Sequence, residues 1–353
     1  MAGPDTLLVI VPFTPADSWV EDLKEKIPGI DIHIHPTEMY AKEIPKDVPD
    51  DVWRKTSALY TWKAFPTREL APNLQYVQLH SAGCGQILGL PLYEQTNITF
   101  STSNGVHPPQ ISEWVFATFL GFQHHLQEHL DNQRKNLWVD PPSDEDVEDA
   151  VGLRVGILGY GCVGRQCARV AKALGMDVYA YNLHERSTPE SRRAAGGFNL
   201  PGLGDLDGQF PSRWFHGKEQ LKDFLASDLD LLVIALPQTT ETTNMIGKDE
   251  FALLSKKKTF LSNVGRGTVV DTNALIAALD AGHIRGAALD VTEPEPLPSD
   301  SKLWGYKNVV ITPHCAGNSN HFNERTLKIL THNLERRARG IEVVNEVNRS
   351  LAY

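Results

Sequence analysis

Residues 151–182 constrain this chain more than any other stretch. Arg154 to Leu158 is a short apolar run without polar alternation, the pattern of a parallel strand buried on both faces. Gly159-Tyr-Gly-Cys-Val-Gly164 follows, a Gly-x-Gly-x-x-Gly turn. Arg165 to Leu174 then has helical spacing, with Val163, Cys167, Val170, Ala171 and Leu174 on one face. Gly175 stops that helix, and Val178 to Tyr181 reads as the next parallel strand. The unit is βαβ, with the glycine turn at its first junction, so the chain contains a doubly wound α/β domain.

The glycines have separate duties. Gly159 permits a tight reversal, Gly161 lets an anion approach the backbone, and Gly164 allows close packing of helix on strand. Cys162 and Val163 open the helix, whose N–H groups and positive dipole end suit a pyrophosphate. A carboxylate at the end of the second strand would bind ribose hydroxyls and repel a 2′-phosphate. This chain has Asn182 there, followed by Arg186 and Ser187. A guanidinium matches a phosphate dianion in geometry and charge. The expectation is NADP(H) in preference to NAD(H). Glu185 argues mildly the other way, and Arg192 and Arg193 read as a solvated helix face.

At 353 residues the chain is long enough for two domains, each with its own core. A net charge of −10 argues against nucleic acid as a partner. No run is long and apolar enough to span a bilayer, and no basic region precedes Leu7 to Val11, so a cytoplasmic location is expected. Cys84, Cys162, Cys167 and Cys315 lack zinc spacing and read as free thiols. His124, His125 and His129 have no acidic or cysteine partner at ligand spacing, so no metal is expected.

Ahead of the glycine turn, Thr6–Val11, Asp31–His35, Ser57–Tyr60, Gln75–Leu79 and Ile98–Ser101 read as strands, and Ala16–Ile27 as a helix. They make a first α/β unit. It carries a loop, Ser81-Ala82-Gly83-Cys84, at a strand's carboxyl end, where the N–H groups of Gly83 and Cys84 could hold a carboxylate or could simply form a turn. The spacing predicts one long helix over 108–136, striped by Ile111, Val115, Phe119, Phe122, Leu126 and Leu130. Residues 196–215 lack periodicity and read as a long loop, whose Phe198, Phe210, Trp214 and Phe215 suggest that it folds over something. Strands are expected at Leu229–Leu236, Phe260–Asn263, Ala287–Val291 and Asn308–Ile311, and helices at Leu275–Leu279 and Thr326–Gly340.

Three loops after these strands carry a charged or titratable side chain: Arg266 in Asn-Val-Gly-Arg-Gly, Glu295 in Asp-Val-Thr-Glu-Pro-Glu-Pro-Leu-Pro, and His314 in Thr-Pro-His-Cys-Ala-Gly. In a doubly wound sheet all three belong to the cofactor edge. Singly, each has a plain reading as an ion pair, a solvated carboxylate or a cap. Jointly they supply a cation for a carboxylate and a proton donor for a carbonyl beside a hydride donor.

In these motifs, and in their order, the chain resembles the D-2-hydroxyacid dehydrogenase family, including its glyoxylate and hydroxypyruvate reductases. The match is densest over Gly152–Gly317. The resemblance implies two Rossmann-like or flavodoxin-like domains. A dinucleotide domain, 113–323, is inserted into a discontinuous substrate-binding domain formed by 1–112 and 324–353. It implies that Arg266 clamps the substrate carboxylate, that His314 is the general acid in reduction, and that Glu295 pairs with it. A neighbouring carboxylate favours an imidazolium. It extends the cofactor contacts to Leu236, Pro237, Thr242, Asn263, Val264, Gly265, Asp290, Ala316 and Gly317, and assigns Ser81 to Cys84 to the substrate, a small 2-oxo or 2-hydroxy acid. A homodimer is also implied. The chain departs from the family in having Cys84-Gly85 where Val or Ile followed by Asp is usual, and in the length of 196–215. The alternative, a dinucleotide-sensing corepressor-like relative, is disfavoured by the intact Arg266, Glu295 and His314.

Overall fold

The structure, a computed structural model, describes residues 5–194 and 196–349. The chain divides into two compact units. One comprises the described parts of Met1–Val106, Gly196–Phe198 and Ser319–Tyr353, the other those of His107–Ala195 and Asn199–Asn318.

In the first unit five parallel strands, β1 (Thr6–Ile10), β2 (Asp31–Ile34), β3 (Ala58–Thr61), β4 (Tyr76–Leu79) and β5 (Thr99–Ser101), lie in the order β2-β1-β3-β4-β5. Their helices are α1 (Asp17–Lys26), α2 (Asp50–Lys55) and α3 (Pro91–Glu94). Successive residues of a strand point to opposite faces, and here both faces are covered. Leu7, Val9, Ala58, Tyr60 and Tyr76 pack with Leu23 of α1 and with Leu327, Leu330 and Leu334 of the C-terminal helix. Leu8, Ile10, Leu59 and Val77 pack with Val52 and Trp53 of α2. This explains why the strands read as unbroken apolar runs.

The second unit begins with α4 (Pro108–Gln123) and α5 (Leu126–Arg134). Next come β6 (Arg154–Leu158), α6 (Cys162–Ala173), β7 (Asp177–Asn182), α7 (Pro189–Arg192), β8 (Arg213–His216) and α8 (Gly217–Leu225). The remainder is β9 (Leu231–Ile234), α9 (Lys248–Leu254), β10 (Phe260–Asn263), α10 (Thr272–Asp280), β11 (Gly286–Leu289) and β12 (Val309–Ile311). Seven parallel strands stand in the order β12-β11-β10-β9-β6-β7-β8. The C-terminal helix of the first unit is α11 (Phe322–Ala338). The architecture is α/β with two parallel sheets, as the βαβ pattern requires.

Two expectations are corrected. The single helix over 108–136 is two helices, broken where His125 takes a left-handed φ of +50°. Val115, Phe116 and Phe119 of α4 belong to the core with Phe260. Beyond Gln123, which donates to the Glu148 carbonyl at 3.0 Å, no core remains to cover. Accordingly α5 buries no residue, and Leu126 of the expected stripe is 51% exposed. The loop over 196–215 ends in an edge strand, β8, in register with β7 so that Phe215 faces Tyr181. Phe215 is buried against Tyr179 and Phe224. A four-residue strand with one core side chain leaves no readable period. Among the described residues no helix is long and apolar enough to cross a membrane, and no group of three or more His, Cys, Asp or Glu side chains could hold a metal ion. All four cysteines are free thiols, and burial pushes the Cys167 thiol up to about 12.

Candidate active site

The glycine turn joins β6 to α6 at the carboxyl edge of the second sheet. Gly159 has φ +105°, and a side chain there would come within 2.8 Å of the Ala235 carbonyl oxygen. A side chain on Gly164 would collide with the Gly159 carbonyl. Around Gly161, the residue before the first turn of α6, no atom stands within 4 Å of where a Cβ would be. Two glycines therefore serve packing, and the middle one leaves the helix end, with Cys162 and Val163, approachable by a ligand phosphate.

Asn182, at the end of β7, accepts the Tyr160 N–H on Oδ1 at 3.2 Å, so it braces the turn itself. The chain then runs into an arginine cluster. Arg186 donates from Nη1 to the Ser191 carbonyl at 2.5 Å, while its Nε is buried without a partner among the described residues. Arg192 donates from Nε to the Arg186 carbonyl at 2.9 Å and from Nη2 to the Ser187 carbonyl at 3.5 Å, and Arg193 pairs with Asp207 at 3.5 Å. Arg165, 5% exposed on α6, donates to the carbonyls of Asp205 and, at 2.7 Å, of Arg192. Burial holds the Arg165 guanidinium below its usual range, and the Arg186 cation pushes the same way. Arg165, Arg186 and Arg192 thus hold backbone carbonyls of one another's segments, and the Arg186 Nε is left with a donor unused among the described residues.

The segment before β8 locks onto the same turn. Asp205, 4% exposed, accepts the Tyr160 hydroxyl at 2.7 Å and the N–H groups of Gln209 and Phe210 at 2.9 and 3.0 Å. Trp214 packs edge-on against Tyr160. Gly204 donates its N–H to Gln166, and its carbonyl accepts Arg169, both on α6. No local signal distinguishes Asp205 from other aspartates of a glycine-rich loop, so sequence reasoning missed it.

At the other side of the sheet, the loops after the adjacent strands β10, β11 and β12 carry Arg266, Glu295 and His314. His314 Nδ1 lies 2.7 Å from Glu295 Oε1. Both side chains are nearly half exposed, at 48% and 42%. A pair so exposed contributes only about 0–1 kcal/mol to stability, so stability is a weak reason for holding it. The backbone supplies a contrast. His314 has φ +54°, a conformation that costs a non-glycine residue on the order of 1–2 kcal/mol. Buried Asp290 enforces it. Its Oδ1 accepts the Thr312 hydroxyl at 2.5 Å and the Cys315 N–H at 2.8 Å, and both carboxylate oxygens accept the Ala316 N–H at 3.0 Å. The His314 N–H donates to the Asp290 carbonyl at 2.8 Å. The turn thus holds His314 in one strained backbone conformation. Asp290, which the resemblance implies as a cofactor contact, accepts on both carboxylate oxygens from the turn that carries His314.

Arg266 donates from Nη1 only to the Gly265 carbonyl, at 2.7 Å, and has no carboxylate partner among the described residues. Asn263 shapes its loop by accepting the Gly265 N–H and donating to the Arg266 carbonyl. Val264 N–H donates to the Ile234 carbonyl, holding this loop beside the one after β9. That loop, Leu236 and Pro237 onward, is closed by Thr242, whose hydroxyl donates to the Pro237 carbonyl at 2.8 Å. The Gly317 carbonyl accepts Gln110 at 2.9 Å. In the first unit, Ser81, Ala82 and Gly83 are half-buried and Cys84 is buried. The Ser81 hydroxyl donates to the Gly83 carbonyl and accepts Gln86 Nε2 at 2.6 Å.

Comparison with known proteins gives the family. Residues 116–201 and 215–316 match the family described as D-isomer specific 2-hydroxyacid dehydrogenase, NAD binding domain. A glyoxylate reductase of Aeropyrum pernix is 36% identical over 200 residues, which cover 57% of this chain and 53% of that protein's length. A glyoxylate/hydroxypyruvate reductase B of Yersinia pestis is 31% identical over 72% of this chain and 71% of its own. The crystal structure of a D-isomer specific 2-hydroxyacid dehydrogenase from Xanthobacter autotrophicus in complex with NADPH and MES superposes with a TM-score of 0.74 at 27% identity, covering 99% of this chain and 100% of that one. With two parallel sheets, a glycine turn built for a dinucleotide and matches of this extent, the chain belongs to the D-isomer specific 2-hydroxyacid dehydrogenase family, and it is an oxidoreductase that acts on a CH–OH group with a nicotinamide dinucleotide.

Proposed function

We propose that this chain reduces a 2-oxo acid to the D-2-hydroxy acid and prefers NADPH to NADH. The observation that carries the reading is the His314–Glu295 hydrogen bond on a strained turn that Asp290 holds in place. Gly161, open at the start of α6, and the buried, unpartnered Nε of Arg186 fit a dinucleotide bearing a 2′-phosphate. Held there, such a cofactor would supply the hydride for the carbonyl carbon. His314 donates the accompanying proton from Nε2 to the carbonyl oxygen, and Glu295 fixes the ring through Nδ1. Arg266 binds the substrate carboxylate, to which we also assign the Ser81–Cys84 loop. Arg186 and Ser187, with Asn182 in place of a carboxylate, accommodate the 2′-phosphate.

Purified protein with NADPH or NADH and a panel of 2-oxo acids tests the reading: absorbance of the reduced dinucleotide is expected to fall. Absence of turnover on every 2-oxo acid with both dinucleotides refutes it.

Residues 202–214 lie outside the stretches matched to the family, yet they hold Tyr160 of the glycine turn. Tyr160→Phe removes one hydroxyl from a buried network, a loss on the order of 1 kcal/mol. By titration calorimetry the Kd for NADPH is expected to rise about three- to tenfold. An unchanged Kd with a lowered Tm would show that this segment braces the fold and not the cofactor turn.

A further inference from the structure

In the first unit the strand order β2-β1-β3-β4-β5 reverses between β1 and β3. Ligands of open parallel sheets lie outside the carboxyl ends of the strands at such a reversal. The residues that follow those ends here are aromatic. Phe13 follows β1, Trp62 follows β3 directly, and His80 follows β4. Phe13, Trp62 and Phe322 all pack around the buried His80 ring, with centroids 5.6, 5.7 and 4.8 Å away. His80 is 3% exposed and its further neighbour Tyr60 is fully buried, whereas Phe13, Trp62 and Phe322 are only half-buried. Tyr40, 62% exposed, packs at a tilt against Trp62, with centroids 4.8 Å apart. The Lys63 ammonium sits 5.0 Å from the Tyr40 ring and 5.3 Å from that of Trp62.

This aromatic edge is continuous with the loop assigned above to the substrate carboxylate. Gln86 Nε2 donates to the Ser81 hydroxyl at 2.6 Å and to the Trp62 carbonyl at 3.3 Å, so one side chain ties the two together. We infer that the substrate's own side chain is aromatic: the protein takes arylpyruvate-class 2-oxo acids in preference to glyoxylate or hydroxypyruvate. The inference rests on the 2-oxo acid reading and deepens it. An aryl side chain gains from ring contacts beyond the area it buries. Glyoxylate has no side chain to offer these rings, and a hydroxymethyl group would exchange water for carbon. Lys63, held over two of the rings, adds a positive charge at the rim that suits an anionic substrate.

The experiment compares kcat/KM for phenylpyruvate, glyoxylate and hydroxypyruvate with each reduced dinucleotide, in the native protein and in Trp62→Ala. The native protein is expected to favour phenylpyruvate by tenfold or more. In Trp62→Ala the phenylpyruvate-to-glyoxylate ratio is expected to fall about tenfold, chiefly through KM, with Trp62→Phe restoring most of it. If Trp62→Ala does not fold, Tyr40→Ala, at the exposed end of the aromatic edge, reads the same ratio. A native protein that turns over glyoxylate or hydroxypyruvate as well as phenylpyruvate overturns the inference and leaves the 2-oxo acid reading standing, and so does a ratio unmoved by either substitution. Absence of turnover on all three substrates overturns the inference, and absence on the whole panel of 2-oxo acids with both dinucleotides overturns the 2-oxo acid reading as well.

Discussion

His314→Ala is expected to lower kcat for 2-oxo acid reduction by roughly two to four orders of magnitude, the usual contribution of a positioned proton donor. The dinucleotide Kd is expected to stay within about threefold of native, because the glycine turn and the arginine cluster stand at β6 and β7, on other strands of the sheet. The fold is expected to survive, since the His314–Glu295 pair is nearly half exposed and its loss costs at most about 1 kcal/mol. His314→Gly provides an internal check. At φ +54° alanine keeps the backbone strain and glycine relieves it. His314→Gly is therefore expected to be equally inactive and about 1 kcal/mol more stable than His314→Ala in a denaturant titration. Stopped-flow or steady-state turnover near the native rate in either variant would remove His314 from the chemistry.

Arg186→Ala is expected to weaken NADPH by about 10- to 100-fold and NADH by less than threefold. A hydrogen bond to a charged group is worth on the order of 1.5–3 kcal/mol, and the Arg186 fork has its buried Nε available. The comparison between the two dinucleotides matters because Arg186 also holds the Ser191 carbonyl. A purely structural loss would weaken both alike. Arg186→Lys restores the charge without the planar fork and is expected to recover only part of the NADPH affinity. Equal losses for NADPH and NADH, measured by fluorescence titration, would refute the 2′-phosphate assignment.

What could be read from the residues alone was what short-range periodicity encodes. The run Arg154–Leu158, the glycines at 159, 161 and 164 and the helix after them form one contiguous βαβ unit, and it stands where the spacing places it. Strand β10 coincides with its expected limits at Phe260 and Asn263, and most other strands fall within a residue or two, because a strand buried on both faces declares itself by composition. Arg266, Glu295 and His314 were visible as candidates because each follows such a strand.

Tertiary structure decided the rest. Whether a helical stripe continues depends on whether core lies beneath it, and after Gln123 none does, so the helix breaks at His125. The edge strand Arg213–His216 exists because β7 offers an unpaired edge and Phe215 a place among Tyr179 and Phe224, neither of which is a local property. Asp205 and Asp290 are the clearest cases. Asp205 is one aspartate among many in sequence, and Asp290 stands in a motif that does not show its partners; each acts through them, Asp205 through Tyr160, 45 residues away, and Asp290 through the backbone of Cys315 and Ala316. A carboxylate takes its role from the donors that burial brings to it, and those donors are chosen by the packing of distant segments, which no residue spacing records.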